Sequence, residues 1–142
     1  MIDGPIKRDT RKAIRSRAGG LCEYCRCQER FATEGFSVEH ILPVQAGGGN
    51  DPDNLALACQ GCNNHKFTKI EAFDPATGLS VALFHPRLQR WEDHFIWSHD
   101  FQSILGLTPT GRATVEALWL NRSGLVNLRR VLYEAGEHPP AT

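Results

Sequence analysis

Four cysteines in two short pairs constrain this chain more than any other feature of its sequence. The first pair is Cys22 and Cys25 and the second is Cys59 and Cys62, each with two residues between the sulfurs. That spacing lets a single turn present both thiolates to a tetrahedral ion, so two pairs fill all four corners. We therefore expect a structural zinc site with no open coordination position, and a fold in which the two pairs meet.

A fifth cysteine, Cys27, follows the first pair closely and has no obvious partner. It either competes with Cys25 as a ligand or packs beside the pair as a spectator thiol.

The first residues lack a charged segment followed by an apolar one, so we expect no secretory signal, and no apolar run is long enough to span a membrane. We expect a cytoplasmic location, where thiols stay reduced and paired cysteines indicate metal rather than disulfides.

The charges balance overall but are unevenly distributed. Sixteen basic and sixteen acidic residues give a formal net charge of zero, which offers no global argument for nucleic-acid binding. Residues 1–18 nevertheless carry six basic residues against two acidic ones, a balance of +4. The basic residues are Lys7, Arg8, Arg11, Lys12, Arg15 and Arg17. This segment is either a solvated helix face or an arm that contacts phosphates without reading sequence.

The chain between and after the cysteine pairs predicts a strand, a loop, a second strand and a helix. The first strand is a short apolar segment over residues 36–41, and the loop is rich in glycine over residues 47–52. The second strand is expected over residues 55–58. The second cysteine pair then opens a helix that we expect to run from about Gly61 to Phe73.

Several motifs in this order resemble the HNH endonuclease family. They are Cys-x-x-Cys, then Glu39-His40-Ile41 with Pro43, a glycine pair, Asn54-Leu55, and Cys-x-x-Cys-Asn-x-x-Lys. The resemblance covers residues 12–72 and implies the ββα-metal fold. The expected fold class of the whole chain is α+β, with this zinc-knuckle core followed by a C-terminal α/β extension that ends in two helices.

The resemblance implies roles for residues at the end of the first strand and the start of the helix. His40 is the general base, because a neutral imidazole can take a proton from the water that attacks phosphorus. Glu39, where the family more often has aspartate, and Asn63 are ligands of a catalytic divalent ion, Mg²⁺ or Mn²⁺. His65 is the alternative to Asn63, although residues two apart on a helix do not share a face.

Three further residues are assigned to orientation and substrate binding. The amide of Asn54 can bridge backbone groups across the loop and so hold His40 in place, or Asn54 is a plain turn residue. Lys66, three residues past Asn63, suits a phosphate contact, and Lys69 extends that contact one turn further. For both lysines the alternative is a solvated side chain on a helix surface.

The second half of the chain, residues 79–136, carries no motif with a mechanism that we can state. Its pattern predicts a strand over residues 79–84 and a hairpin between residues 94 and 105. A helix is expected from Thr108-Pro109 to about Leu120, because proline is tolerated at a first helical position. Ser123 is expected to cap the last helix. Its predicted buried face comprises Leu125, Leu128, Val131 and Leu132.

Aromatic residues of this half are expected in a core rather than on a base-stacking surface. They are Phe84, Trp91, Phe95, Trp97, Trp119 and Tyr133. Four arginines are candidates for extending a DNA-facing surface: Arg87, Arg90, Arg112 and Arg122. We see no linker long enough to separate domains, so residues 1–142 are expected to form a single domain in which residues 79–136 brace the nuclease core.

These features together predict a metal-dependent endonuclease that hydrolyses phosphodiester bonds in DNA. One alternative is a zinc-knuckle nucleic-acid-binding or adaptor module without catalysis, and another is a structural zinc protein that binds other proteins. An acid, a base and an amide grouped beside a zinc knuckle favour the nuclease, because a pure binding module does not need them. DNA is the expected partner, no membrane is expected, and the choice between monomer and homodimer is left open.

Overall fold

A computed structural model describes residues 4–141, which form two compact units. The first unit comprises the chain up to Ile70 together with His85–Leu88. The second comprises Glu71–Phe84 and the chain from Gln89 onward. Helices and small antiparallel sheets make the fold α+β, as predicted. The single-domain organisation stays a prediction.

In the first unit a two-stranded sheet lies between two helices in chain order. The elements are α1 (Arg8–Ala18), β1 (Ser37–His40), β2 (Leu55–Ala58) and α2 (Gln60–Lys66). Strands β1 and β2 pair antiparallel, with Ser37 opposite Ala58 and His40 opposite Leu55. All four residues of β2 are buried, as expected for a strand covered on both faces.

Helix α1 is attached to this sheet by its apolar side and by two of its arginines. Ile14 is buried, and Gly19 ends the helix in the left-handed conformation with a φ of +64°. Arg15 donates to Glu29 and to the Phe36 carbonyl. Arg17 donates to two further backbone carbonyls, those of Pro52 and Leu55. Part of the basic N-terminal segment therefore stabilises the unit itself.

Helix α2 is shorter than the sequence predicts. Cys59 caps it by accepting a hydrogen bond at Sγ from the Cys62 amide, and the helix ends at Lys66. Phe67 then has a φ of +49° and a ψ of −118°, which no helical residue adopts. The prediction of helix to Phe73 is wrong, because Glu71–Phe73 forms a strand and pairs with Ser80–Ala82. The local sequence pattern favours a helix there, but pairing with the later strand Ser80–Ala82 places these residues in a hairpin instead.

The second unit contains two hairpins and three helices. They are β3 (Glu71–Phe73), β4 (Ser80–Ala82), α3 (Trp91–His94), β5 (Phe95–Trp97), β6 (Ile104–Gly106), α4 (Pro109–Ala117) and α5 (Ser123–Glu134). Each hairpin is antiparallel, β3 with β4 and β5 with β6. Thr108 caps α4 by accepting from the Gly111 amide, as the Thr108-Pro109 sequence predicts.

The core of the second unit is aromatic. Phe84 and Phe95 make an edge-to-face contact with centroids 5.2 Å apart, and Trp91 lies 5.2 Å from Phe95 and 5.5 Å from Trp97. Gly111 lets α4 approach this core closely, because a Cβ there would stand 2.0 Å from the His94 carbonyl oxygen. The prediction of an aromatic core is wrong for Trp119 and Tyr133, which are largely exposed.

Helix α5 buries a charged residue that the apolar pattern did not predict. Arg129 is 4% exposed, whereas Val131 of the predicted apolar face is exposed. The Arg129 guanidinium donates to the carbonyls of Gln102 and Leu120 and to Asn121 Oδ1, and it lies 5.2 Å above the Trp97 ring. Arg122 rather than Ser123 occupies the N-cap position, without a side-chain cap.

Within residues 4–141, no helix combines the length and the apolar character that crossing a membrane requires.

Candidate metal centre and active site

The two cysteine pairs meet in the first unit. The sulfur atoms of Cys22, Cys25, Cys59 and Cys62 all lie within 4.8 Å of one another, and all four residues are buried. Cys25 Sγ and Cys59 Sγ are 3.7 Å apart. A tetrahedral zinc with Zn–S bonds of about 2.3 Å requires sulfurs about 3.8 Å apart. The donor set therefore has the chemistry and the spacing of a four-thiolate zinc site, and could bind zinc.

Backbone amides already point at the sulfurs of this cluster. The Cys25 amide donates to Cys22 Sγ and the Cys62 amide donates to Cys59 Sγ, each over 3.4 Å. These bonds repeat the same turn in both pairs. Cys27 is half-buried beside the cluster but is not one of its four members, and its carbonyl accepts from the Cys22 amide.

Glu23, inside the first cysteine pair, ties that turn to the sheet. Its amide donates to the Leu57 carbonyl, and its Oε2 accepts from the Leu57 amide over 2.8 Å. Arg87 forms a salt bridge with Glu23 Oε1, and both side chains are nearly buried. Arg87 is thus held within the first unit, and Glu23 has a structural role that the sequence motif alone did not indicate.

A pocket of about 360 Å³ lies in the same unit. Its lining includes Tyr24, Glu39, His40, Asn63 and Lys66. The end of β1 supplies the acid and the histidine, and the first turns of α2 supply the amide and the lysine. Burial raises the pKa of Tyr24 well above its usual range, so this residue is a neutral phenol in the wall of the pocket.

Glu39 and Asn63 are in direct contact. Asn63 Nδ2 donates to Glu39 Oε1 over 3.1 Å. Burial raises the pKa of the Glu39 carboxyl above its usual value, against the opposing charges of His40 and Arg11. A desolvated carboxylate beside an amide supplies the oxygen donors that a hard divalent ion prefers. His65, the alternative to Asn63, does not line the pocket.

His40 is held by a loop residue that the sequence analysis did not single out. His40 Nε2 lies 2.7 Å from Asn50 Oδ1, and Asn50 Nδ2 donates to the Gly4 carbonyl over 3.0 Å. Asn50 lies in the glycine-rich loop over residues 47–52, directly after its three glycines. In the sequence, Asn50 is recognisable only as an asparagine in the loop between β1 and β2. Asparagine is too common in loops for that position to indicate a role.

The Asn54 side chain contacts backbone groups of the same loop. Its Oδ1 accepts from the Leu42 amide, and its Nδ2 donates to the carbonyls of Leu42 and Gly49. Gly48 packs into this arrangement, since a Cβ at that position would stand 1.8 Å from the Leu42 oxygen. The role of Asn54 in orienting His40 stays a prediction, and the direct contact to His40 comes from Asn50.

The two lysines assigned to phosphate binding occupy different environments. Lys66 is 6% exposed and its ammonium donates to the Ile41 carbonyl over 2.8 Å, although it lines the pocket. Burial lowers the pKa of Lys66 to about 8, against the opposing charge of Glu39. Lys69 is exposed and donates to the His65 carbonyl over 2.7 Å. Neither environment tests the phosphate contact, which stays a prediction.

Comparison with known families agrees with this geometry. The family model described as HNH endonuclease matches residues 22–69, a segment that contains both cysteine pairs and the pocket residues from His40 to Lys66. An HNH domain is therefore present in this chain. It indicates a nuclease and hence a nucleic-acid substrate. No curated protein matches the chain.

Proposed function

We propose that the protein is a metal-dependent endonuclease that hydrolyses phosphodiester bonds in DNA, and that it acts in the cytoplasm. The observation that carries the proposal is the grouping of Glu39, His40 and Asn63 in one pocket of the HNH domain. A base, an acid and an amide at the ends of β1 and α2 are the groups that phosphodiester hydrolysis needs. A module that only binds nucleic acid has no use for them.

His40 acts as the general base. Its neutral imidazole accepts a proton from the water that attacks phosphorus, which makes a stronger nucleophile than water itself. The contact with Asn50 restricts the ring to one orientation. Proton transfer of this kind typically contributes about 10²- to 10⁴-fold to the rate.

Glu39 and Asn63 hold the catalytic divalent ion, Mg²⁺ or Mn²⁺. A divalent ion bound there supplies positive charge to the phosphate and to the leaving oxygen. The raised pKa of Glu39 supports this role. Burial disfavours the charged carboxylate, and a cation bound beside it would restore that lost stabilisation. Lys66 and Lys69 contact substrate phosphates, and the four cysteines hold a structural zinc at a separate site.

A plasmid-nicking assay tests the proposal. Zinc-loaded protein stripped of other metals is assayed with and without Mg²⁺ or Mn²⁺, beside His40→Ala, Asn63→Ala and His65→Ala. His99→Ala, an exposed histidine of the second unit, is the matched control. We expect metal-dependent nicking that falls at least about 10²-fold in His40→Ala and Asn63→Ala, while His65→Ala and His99→Ala retain it.

Zinc content and far-UV circular dichroism show that each variant is folded. A folded His40→Ala protein that nicks at the wild-type rate would overturn the assignment of the base. Absence of cleavage with every metal, with DNA binding retained, would instead favour the non-catalytic nucleic-acid-binding module.

A further inference from the structure

The hydrogen bond between His40 and Asn50 bears on which nitrogen of His40 carries the proton. A neutral imidazole has one donor nitrogen and one acceptor nitrogen, and the partner of one nitrogen decides which is which. The atom 2.7 Å from His40 Nε2 is Asn50 Oδ1. A carbonyl oxygen only accepts hydrogen bonds, so this contact requires a proton on Nε2.

The argument depends on the orientation of the Asn50 amide, whose oxygen and nitrogen ends are similar in shape. The other end of this amide lies 3.0 Å from the backbone oxygen of Gly4. That oxygen also only accepts, so it must face the NH₂ group of Asn50. The oxygen of Asn50 is then the end that meets His40. The Gly4 carbonyl thereby favours the orientation in which the Asn50 oxygen faces His40.

We propose that Asn50 is a positioning residue that holds His40 in the tautomer protonated at Nε2, so that Nδ1 carries the lone pair and is the basic atom. The proposal rests on the proposed function, to which it adds the identity of the proton acceptor and the residue that selects it. The segment at Gly4 becomes part of the active site through its carbonyl, although 45 residues separate it from Asn50 in the chain.

The chemical step follows from this assignment. One proton moves from the attacking water to His40 Nδ1 as the new oxygen–phosphorus bond forms. The bond from phosphorus to the leaving oxygen breaks, and that oxygen takes a proton from solvent. Nε2 keeps its proton throughout, and its bond to Asn50 Oδ1 strengthens as the ring becomes cationic, because charged donors form stronger hydrogen bonds.

Asn50 and Asn54 have separate tasks in this arrangement. Asn54 contacts only backbone groups in the bonds described above, at Leu42 and Gly49. Asn50 contacts the histidine side chain itself. Loss of Asn54 is therefore expected to destabilise the loop. Loss of Asn50 is expected to let His40 adopt both neutral tautomers, while the contacts of Asn54 with the loop remain.

Two variants with the same number of side-chain heavy atoms separate these effects. Asn50→Leu keeps the branched shape of the side chain but cannot accept a hydrogen bond from Nε2. Asn50→Asp keeps an oxygen acceptor for Nε2, but it replaces the donor to Gly4 with a second carboxylate oxygen and adds a negative charge beside His40. The measurement is long-range ¹H–¹⁵N correlation of zinc-loaded, histidine-labelled full-length protein at alkaline pH, with His40 assigned by comparison with His40→Gln. The nicking rate is measured alongside.

We expect wild-type His40 to show a protonated Nε2 and an unprotonated Nδ1. Asn50→Leu is expected to give a mixture of tautomers and a fall in kcat of about 10- to 100-fold, which is the effect typical of losing a hydrogen-bond partner that orients a metal-ligating histidine. Asn50→Asp is expected to restore the wild-type tautomer and recover part of kcat. A proton on Nδ1 in the wild type, or an unchanged tautomer in folded Asn50→Leu, would overturn the proposal.

The tautomer measurement does not depend on cleavage. If the wild type proves inactive while His40 has the expected tautomer that Asn50→Leu releases, the proposed function fails and the positioning role of Asn50 stands. If Asn50→Leu does not fold, the wild-type spectrum and Asn50→Asp still decide the matter, since either can show a proton on Nδ1.

Discussion

The two units of this protein bury very different material. In the first unit the interior includes four cysteines whose sulfurs lie close together, and a strand, β2, whose leucine and alanine residues are all buried. In the second unit the interior is a cluster of large aromatic rings, with a buried arginine on α5 and a buried aspartate before β4. All three tryptophans of the chain belong to the second unit.

This difference suggests how a small unit can contain a polar pocket and still be stable. The first unit places a carboxylate, an imidazole, an amide and a lysine around a cavity, which removes apolar contacts from its interior. We expect zinc bound by the four-cysteine cluster to compensate, because a four-thiolate zinc site contributes folding free energy directly. The second unit contains no such cluster among its described residues and relies on aromatic packing and internal hydrogen bonds.

Removing zinc should have the largest effect and should act on the first unit. Cys62→Ser removes one buried thiol of the four-cysteine cluster, and zinc sites of this class have apparent binding free energies of about 10–16 kcal/mol. We expect the variant to lose zinc and the first unit to unfold, while tryptophan emission from the second unit survives. Metal analysis and fluorescence during chelation of the wild type measure the two effects.

Cys27→Ser is the matched control and is expected to retain zinc. Zinc loss in Cys27→Ser equal to that in Cys62→Ser would make Cys27 a ligand. Simultaneous loss of the tryptophan signal on chelation would contradict the contrast between the units and support the single-domain organisation predicted from the sequence.

Arg129→Met should produce the largest loss in the second unit. The substitution leaves the carbonyls of Gln102 and Leu120 without this donor in the interior, and each buried unsatisfied acceptor costs about 1–3 kcal/mol. We expect the free energy of unfolding to fall by about 3–5 kcal/mol, measured by urea denaturation with tryptophan fluorescence. Arg130→Met, at the exposed neighbouring position, should change it by less than about 0.5 kcal/mol. Equal effects of the two variants would exclude a special role for the buried guanidinium.

The second unit should also lose stability in acid through Asp74. The Arg112 guanidinium, with the Ala76 amide and the Thr77 hydroxyl, holds the pKa of Asp74 well below its usual range. Because the folded pKa is depressed, the unfolded chain binds the proton first, so stabilisation is present above about pH 4 and declines as pH falls below it. Asp74→Asn should flatten this decline, whereas Asp93→Asn, an exposed carboxylate of the same unit, should preserve it. Denaturation midpoints measured between neutral and acidic pH provide the comparison.

The smallest expected effect is a gain of stability in the first unit. Phe67 is 75% exposed and has a φ of +49°, a conformation that costs a non-glycine residue about 1–3 kcal/mol. Phe67→Gly should relieve that strain, although glycine also increases the conformational entropy of the unfolded chain. We expect the free energy of unfolding to rise by about 1 kcal/mol in total. Phe73→Gly, at a similarly exposed phenylalanine in β3, should be destabilising. Thermal unfolding of the zinc-loaded protein followed by circular dichroism distinguishes the two, and a loss in Phe67→Gly would argue against strain at this residue.

Elements whose cause is local were predictable. The residues of β2 and the cap at Thr108 depend on a short apolar run and on a capping residue that act over a few positions. The end of α2 was not predictable, because a hairpin between Glu71–Phe73 and Ser80–Ala82 overrides the helical pattern beyond Lys66. The predicted buried face of α5 was right for Leu125 but wrong for Val131, which is exposed, and it omitted Arg129. Arg129 is buried because distant carbonyls accept from it.

The sequence by itself determined which residues of the first unit are candidates for chemistry. Cysteine spacing and the order of the motifs identified the four-cysteine cluster, the HNH domain and several of the residues that line the pocket, since each is a local pattern with its own chemical meaning. Only the tertiary structure decided which residues serve them. Asn50 faces His40, the Gly4 carbonyl orients Asn50, and Lys66 is buried against the Ile41 carbonyl. Such contacts join residues far apart in the chain, and no local pattern specifies which distant donor and acceptor will meet.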